Sequence, residues 1–142
     1  MKAPARVLFV CIGNSCRSQM AEAFARAYGS DVMVPASAGV YPAHFIASDT
    51  VRAMAEKNLK LDGQFPKSIE QVDRPGFDLI VDISGGELEA KDGEPIRHWD
   101  VPDPIVMEYE QHRQVRDQIE KLVMDLILEL RKKRKRRLAL SW

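Results

Sequence analysis

Cys11 and Arg17 stand with five residues between them in the run Val10-Cys11-Ile12-Gly13-Asn14-Ser15-Cys16-Arg17-Ser18. A loop of this length can fold back so that consecutive backbone N–H groups converge on one point. A helix that opens at Arg17 aims its positive end at the same point. The Arg17 guanidinium adds a planar fork that matches two oxygens of a tetrahedral oxyanion. Ile12, Gly13, Asn14, Ser15, Cys16 and Ser18 are therefore candidate residues of a cradle for phosphate or a phosphate-like anion. The same positive field favours a thiolate over a thiol at Cys11. A thiolate beneath a bound phosphorus is placed for in-line attack. Ser18 can donate a hydrogen bond to that sulfur, and Gly13 and Asn14 tolerate the left-handed backbone of a tight loop. A buried core cysteine is the competing reading. It accounts for Cys11 alone, and not for Arg17, the loop composition and a helix start in one register.

Attack on an ester or acid of phosphate leaves an oxygen that needs a proton. Asp100 and Asp103, in His98-Trp99-Asp100-Val101-Pro102-Asp103-Pro104, are the candidate general acids, with simple Asp-Pro turn chemistry as the alternative. Other phosphate chemistries are excluded. No Gly-x4-Gly-Lys-Ser/Thr loop and no Gly-x-Gly-x-x-Gly fingerprint is present, so no nucleotide cofactor is expected. Cys11 and Cys16 cannot complete a tetrahedral zinc site, and His44, His98 and His112 share no metal-ligand spacing. No metal is expected.

These residues need elements that hold them. Arg6–Val10, Asp31–Ala36, Phe77–Ile83 and Pro95–Trp99 read as strands, the last an edge strand because of its proline. Met20, Ala21, Phe24, Ala25 and Tyr28 recur at helical spacing, closed by Gly29. A second helix is expected from Ser48, with Val51, Met54 and Ala55 on one face. A third is expected from Tyr109, with an apolar stripe of Val115, Ile119, Leu122, Val123, Leu126, Ile127 and Leu130. Gly85–Glu94 is a long polar loop. Strands alternating with helices imply an α/β fold with a parallel sheet covered on both faces and function at the carboxyl ends of the strands.

The 142 residues suit one domain that needs no staple to hold its core. Residues 1–130 are expected to form it, with 131–142 a basic helix end or tail. Lys2, Arg6 and the run 7–12 loosely imitate a signal peptide. The run is too short, and no small-residue cleavage site follows, so it reads as the first strand. Two cysteines and no export signal place the chain in a reducing cytoplasm, with no membrane partner. The chain has 21 basic and 21 acidic residues, but seven basic residues are consecutive, from Arg131 to Arg137. The rest holds 14 basic against 21 acidic residues, a body of net −7 that does not suit nucleic acid. The run 131–137 could bind an anionic partner, or be a solvated helix end that frays by self-repulsion. Leu138, Leu140 and Trp142 would need a surface if ordered.

The segment VCIGNSCRSQMAE, with Ser37-Ala38-Gly39 and Asp103-Pro104, resembles the low-molecular-weight protein tyrosine phosphatase family, which includes the thioredoxin-linked arsenate reductases. The resemblance runs through nearly the whole chain. It implies a four-stranded parallel sheet with helices on both faces, Cys11 as nucleophile, Arg17 as oxyanion clamp and Asp103 as general acid. Three departures matter. The reductases use two further cysteines after the third strand; here Ser84 and Lys91 fall there. Their potassium site is matched by Asn14, Glu22 and Ser37, but its aspartate falls near Lys67, whose ammonium could take the cation's place. Typical phosphatases follow Asp-Pro with tyrosines; here Ile105, Val106 and Met107 form an apolar wall, with Tyr41 and Phe45 more suited to packing.

Three functions compete. The main reading is a phosphate monoesterase acting on a phosphorylated protein or small ester through a cysteinyl-phosphate. The second is an arsenate reductase that borrows an external thiol or redoxin. The third is an oxyanion-binding or redox-sensing module built on Cys11 and Cys16. A general acid at Asp103 separates the first two from the third.

Overall fold

Alternate residues of Ala5–Cys11 are buried on both sides, as a central strand of a parallel sheet requires. This strand, β1, pairs in parallel with β2 (Met33–Gly39) on one side and β3 (Leu79–Asp82) on the other. The short β4 (Ile96–His98) pairs in parallel with β3 and closes the order β2-β1-β3-β4. The computed structural model describes residues 4–140; Lys2 and Trp142 lie outside them.

Val7, Phe9, Cys11, Val81 and Ile83 face one core. Helices α1 (Arg17–Tyr28), α2 (Ser48–Ala55) and α3 (Tyr109–Leu140) contribute Met20, Phe24, Met54, Ile119, Val123 and Ile127 to it. Leu8, Val10, Ala38, Phe77, Ile80 and Leu88 form the second core. Its cover is two single 3₁₀ turns, Ile69–Gln71 and Arg74–Gly76, so the four-stranded parallel sheet has helical cover on both faces, slight on this one. Gly29 lets α1 and α3 meet: a Cβ there would lie 2.6 Å from Ile127 Cγ1.

Several local expectations are corrected. β2 begins at Met33, not Asp31, because Val32 and Met33 both donate to the Gly29 carbonyl in a tight turn. It then runs to Gly39, in register with Cys11. β3 is shorter than Phe77–Ile83, and Phe77 instead packs in the second core under the Arg6 guanidinium. In α2, Val51 is 46 % exposed; Thr50, Ala53 and Met54 are the buried face. Tyr41 and Phe45 are exposed rather than packed.

The apolar stripe of α3 packs on the core through Leu130, and the helix continues through the basic run to Leu140, about 48 Å in all. Arg131 holds Asp31 through Nε and Nη2 at 3.0 and 2.9 Å and also donates to the Tyr28 carbonyl; Arg134 adds a contact at 3.3 Å. The hydrogen bond from Arg131 lowers the Asp31 carboxyl to about 2. A carboxylate depressed on folding stabilises above its unfolded value, about 3.9, and stops doing so as the pH falls through its folded value. Asp31→Asn should therefore melt earlier than wild type at mildly acidic and neutral pH. The gap should close as the pH falls from about 4 toward about 2, read by thermal unfolding across that range. An equal gap at both ends would show that the ion pair contributes nothing.

Candidate functional site

Cys11 ends β1 at the carboxyl edge of the sheet, beside β3, where the chain's crossovers change side. Residues 12–16 then form a loop whose carbonyls are all engaged, those of Asn14 and Cys16 by Gln19 Nε2 and the Met20 N–H of α1 and the others by the segment that follows β2. Val40, Tyr41, Ala43 and Ala47 donate their backbone N–H to the carbonyls of Cys11, Ile12, Gly13 and Ser15, at 2.8–3.1 Å. With the carbonyls held outside, the loop's own N–H groups are left for the concave side. α1 opens at Arg17 with no side-chain cap and no acidic residue in its first turn, so its first turn does not neutralise its positive end. Asn14 alone in the loop takes a left-handed backbone, at φ 51°; Gly13 does not need it. Gly39 is required by proximity, since a Cβ there would meet the Ile12 carbonyl at 2.8 Å. The strap 40–47 left no sequence signal, because its contribution is backbone only.

A directed chain of hydrogen bonds ends on the sulfur. The Lys67 backbone N–H donates to Asn14 Oδ1 at 2.9 Å, which fixes the amide so that Asn14 Nδ2 donates to Ser18 Oγ at 2.7 Å. The Ser18 hydroxyl proton is then free for Cys11 Sγ, 2.8 Å away. Cys11, Asn14 and Ser18 are buried.

Arg17 is 4 % exposed and spans the loops after β3 and β4. Its Nη1 donates to the carbonyls of Ile83 (2.6 Å) and Val101 (3.0 Å), and its Nη2 stands 3.5 Å from Asp103 Oδ2. Asp103 is half-buried, and its Oδ1 accepts the Ile105 N–H at 3.1 Å. Cys11, Ile12, Gly13, Ser15, Cys16, Arg17 and Asp103 line one cavity of about 220 Å³, walled by Ala43 and Ile105. Asp100 is exposed, and its carbonyl is engaged by Gln118. The expected wall of Ile105, Val106 and Met107 reduces to Ile105; Val106 is 92 % exposed and Met107 packs on the main core.

Glu22, Ser37 and Lys67 meet behind the loop. Ser37 Oγ donates to Glu22 Oε1 at 2.6 Å, and Arg26 pairs with Glu22 Oε2 at 2.7 Å. Lys67 Nζ donates to the carbonyls of Ser37 (3.2 Å) and Phe65 (3.1 Å) and lies over the Phe65 ring. Burial pulls the Lys67 pKa down against the attraction of Glu22, with Arg26 adding to the fall. This donor set does not fit a potassium ion, because an ammonium already sits on its carbonyls and would repel the metal. Among the described residues no His, Cys, Asp and Glu cluster has the arrangement of a metal site.

Cys16 lines the same cavity as Cys11 and Asp103. Burial pushes its thiol pKa up; hydrogen bonds with Thr50 and Ser15 oppose this weakly, while Asp103 and Cys11 add to it. A protonated thiol beside a nucleophile is suited to trapping an oxidised sulfur as a disulfide. Cys16→Ser should therefore be inactivated faster and less reversibly by peroxide than the wild type. Mass spectrometry after mild oxidation reads the cause, and absence of a Cys11–Cys16 bond in the wild type would remove this role.

Ser84 is buried against Asp82, donating its hydroxyl to Oδ1 at 2.5 Å, and Lys91 lies exposed in the long loop. Cys11 and Cys16 are the two cysteines of the sequence.

Comparison with known proteins places this geometry among relatives. The model of the low molecular weight phosphotyrosine protein phosphatase family matches residues 6–136. Arsenate reductase 1 of Bacillus cereus is 33 % identical over 117 residues, 80 % of this chain and 87 % of the relative. The glutaredoxin arsenate reductase of Synechocystis is 30 % identical over 129 residues, 88 % of this chain and 98 % of the relative. A solved arsenate reductase in its phosphate-binding state superposes with a TM-score of 0.82 at 28 % identity, covering 89 % of this chain and 98 % of that one.

Proposed function

Since the chain belongs to the low molecular weight phosphotyrosine protein phosphatase family, we propose that Cys11 attacks a small tetrahedral oxyanion, and that this oxyanion is arsenate, reduced with an external thiol or redoxin. The observation that carries the reading is the cavity itself. It is about 220 Å³, and no aromatic side chain lines it, so it suits a bare oxyanion better than a phosphotyrosine ring. The naming of both curated relatives as arsenate reductases, one of them a glutaredoxin enzyme, supports the same choice over the phosphatase.

The thiolate of Cys11 forms a sulfur–arsenic bond as an arsenic–oxygen bond breaks. The loop amides and Arg17 hold the remaining oxygens, and Asp103 gives its proton to the departing oxygen, which leaves as water. An external thiolate then attacks Cys11 Sγ. The sulfur–arsenic pair passes to arsenic, which leaves as arsenite, and Cys11 is left in a mixed disulfide. A second external thiol frees it. Two thiols are oxidised to one disulfide for each arsenic reduced. A reducing compartment such as the cytoplasm supplies them. Lys67, on the carbonyls behind the loop, stands where a cation would otherwise steady Asn14, Glu22 and Ser37.

One observation favours phosphate monoester hydrolysis as a second reading. Ser84 and Lys91 stand after β3 where a resident thiol relay would be, whereas hydrolysis needs only water and Asp103. The binding or redox-sensing module is the least economical reading, because a binder does not need a carboxyl beside its anion. The exposed basic stretch beyond Arg131 is a candidate surface for an anionic partner.

The test is a pair of assays on the purified protein: arsenate reduction with glutathione, glutaredoxin or thioredoxin, and aryl phosphate hydrolysis. Arsenate reduction that depends wholly on added thiol is expected. Hydrolysis with no arsenate reduction in any thiol system would replace this reading by the second.

A further inference from the structure

His112 is a titratable side chain that the reaction above does not use. It lies in the first turns of α3 and is 1 % exposed. Its Nε2 is 2.9 Å from Thr50 Oγ1 on α2, and the imidazole also hydrogen-bonds the carbonyl of Pro104, the residue after the candidate acid. Thr50, fully buried, hydrogen-bonds Cys16, the residue that opens α1. A continuous buried line therefore joins the Asp103–Pro104 turn to the oxyanion loop through two helices. Nothing else in that line is charged; the carboxylates facing the ring are Asp49 and Asp103.

The direction of each hydrogen bond follows from chemistry. Burial holds the imidazole pKa below its ordinary value, outweighing Asp49, the Pro104 carbonyl and Asp103, so the ring is neutral at neutral pH. A neutral imidazole has one N–H and one acceptor nitrogen. The Pro104 carbonyl can only accept, so the N–H goes there and Nε2 takes the Thr50 hydroxyl proton. Cys16 is the other side-chain partner of the Thr50 hydroxyl. The same Pro104 carbonyl accepts the Met107 N–H at 3.0 Å, so the imidazole bond fixes a turn that is already closed on itself.

We propose that His112 is a positioning residue that holds the Asp103–Pro104 turn against the oxyanion loop through Thr50 and Cys16, and so sets where the Asp103 carboxyl stands over the reacting oxygen. The proposal rests on Asp103 acting as the acid. Without the imidazole the turn keeps only its own hydrogen bonds, and a carboxyl displaced by about 1 Å loses on the order of 10²-fold in rate.

His112→Phe keeps a ring of similar size without its nitrogens. Two readouts test it. The first needs no turnover: amide hydrogen exchange with inorganic phosphate bound. Exchange should rise in 101–108 and stay as in wild type in β1 and α1. The second separates kcat from binding. Turnover of arsenate or aryl phosphate should fall on the order of 10-fold or more. Phosphate affinity, read by protection of Cys11 from iodoacetamide, should not change, because the loop amides and Arg17 are untouched. Unchanged exchange in 101–108 overturns the proposal, as does a fall in phosphate affinity that matches the fall in rate. If His112→Phe does not fold, Thr50→Val is measured instead. It should loosen 101–108 in the same way, and no change there overturns the proposal. A wild type that turns over neither substrate refutes the proposed function, and the exchange data still decide the role of His112.

Discussion

Cys11→Ser should lose turnover on every substrate, by on the order of 10⁴–10⁶-fold, while binding phosphate or arsenate as well as the wild type. The two halves of this expectation have separate physical origins. Binding is a property of the backbone: the carbonyls of Cys11, Ile12, Gly13 and Ser15 are tied to the strap 40–47, which leaves the amides for the anion, and Arg17 is held by the Ile83 and Val101 carbonyls. None of these bonds involves the Cys11 side chain. Turnover depends on the sulfur. Ser18, aligned by Asn14 and the Lys67 amide, directs its hydroxyl proton to Cys11 Sγ and so stabilises a thiolate. The same arrangement cannot make an alkoxide of serine, because one neutral hydrogen bond and a helix end do not offset so weak an acid. Equilibrium dialysis with phosphate and assays with both substrate classes check the two halves. Turnover in Cys11→Ser would remove the nucleophile assignment, and lost phosphate binding would mean that the sulfur shapes the loop.

What could be read in advance follows a physical divide. Cys11, Asn14, Arg17 and Ser18 are contiguous, and their roles are local, so spacing alone suggested them. The four strands were legible because burial on both faces of a parallel sheet leaves apolar runs. The strap 40–47 acts through backbone N–H groups, so VYPAHFIA says nothing about it. The Arg17 anchors are carbonyls at the ends of two other strands. The start of β2 is set by a turn in which Val32 and Met33 both donate to the Gly29 carbonyl, and backbone bonds of that kind leave no trace in the residue types. Val51 was placed on the wrong face of α2 because Thr50, polar by type, is buried to reach His112. Thr50 and His112 themselves escaped for the same reason: each is unremarkable until the fold brings it to the other.

Asp103→Asn should slow the reaction by about 10²–10⁴-fold, the usual worth of a general acid, with the size set by the leaving group. An alkoxide or a phenoxide of high basicity needs a proton as its bond to phosphorus breaks, so alkyl and phenyl phosphates should suffer most. A nitrophenolate leaves with less help and should suffer least. Departure of hydroxide from arsenic belongs with the first group, so arsenate reduction should fall steeply whatever thiol is supplied. Geometry makes Asp103 the choice over Asp100. Asp103 lines the cavity with Cys11 and has Oδ2 3.5 Å from Arg17, whereas Asp100 is exposed and outside it. The amide of asparagine can still meet Arg17 and the Ile105 N–H through its oxygen, so the turn should keep its shape and the loss should fall on kcat. Asp100→Asn is the control and should leave the rates near wild type. An equal defect in Asp100→Asn would move the acid to that residue. A defect in neither would leave the sulfur to attack without proton transfer from the protein, and the site would then be a cradle for anions whose leaving group needs no help.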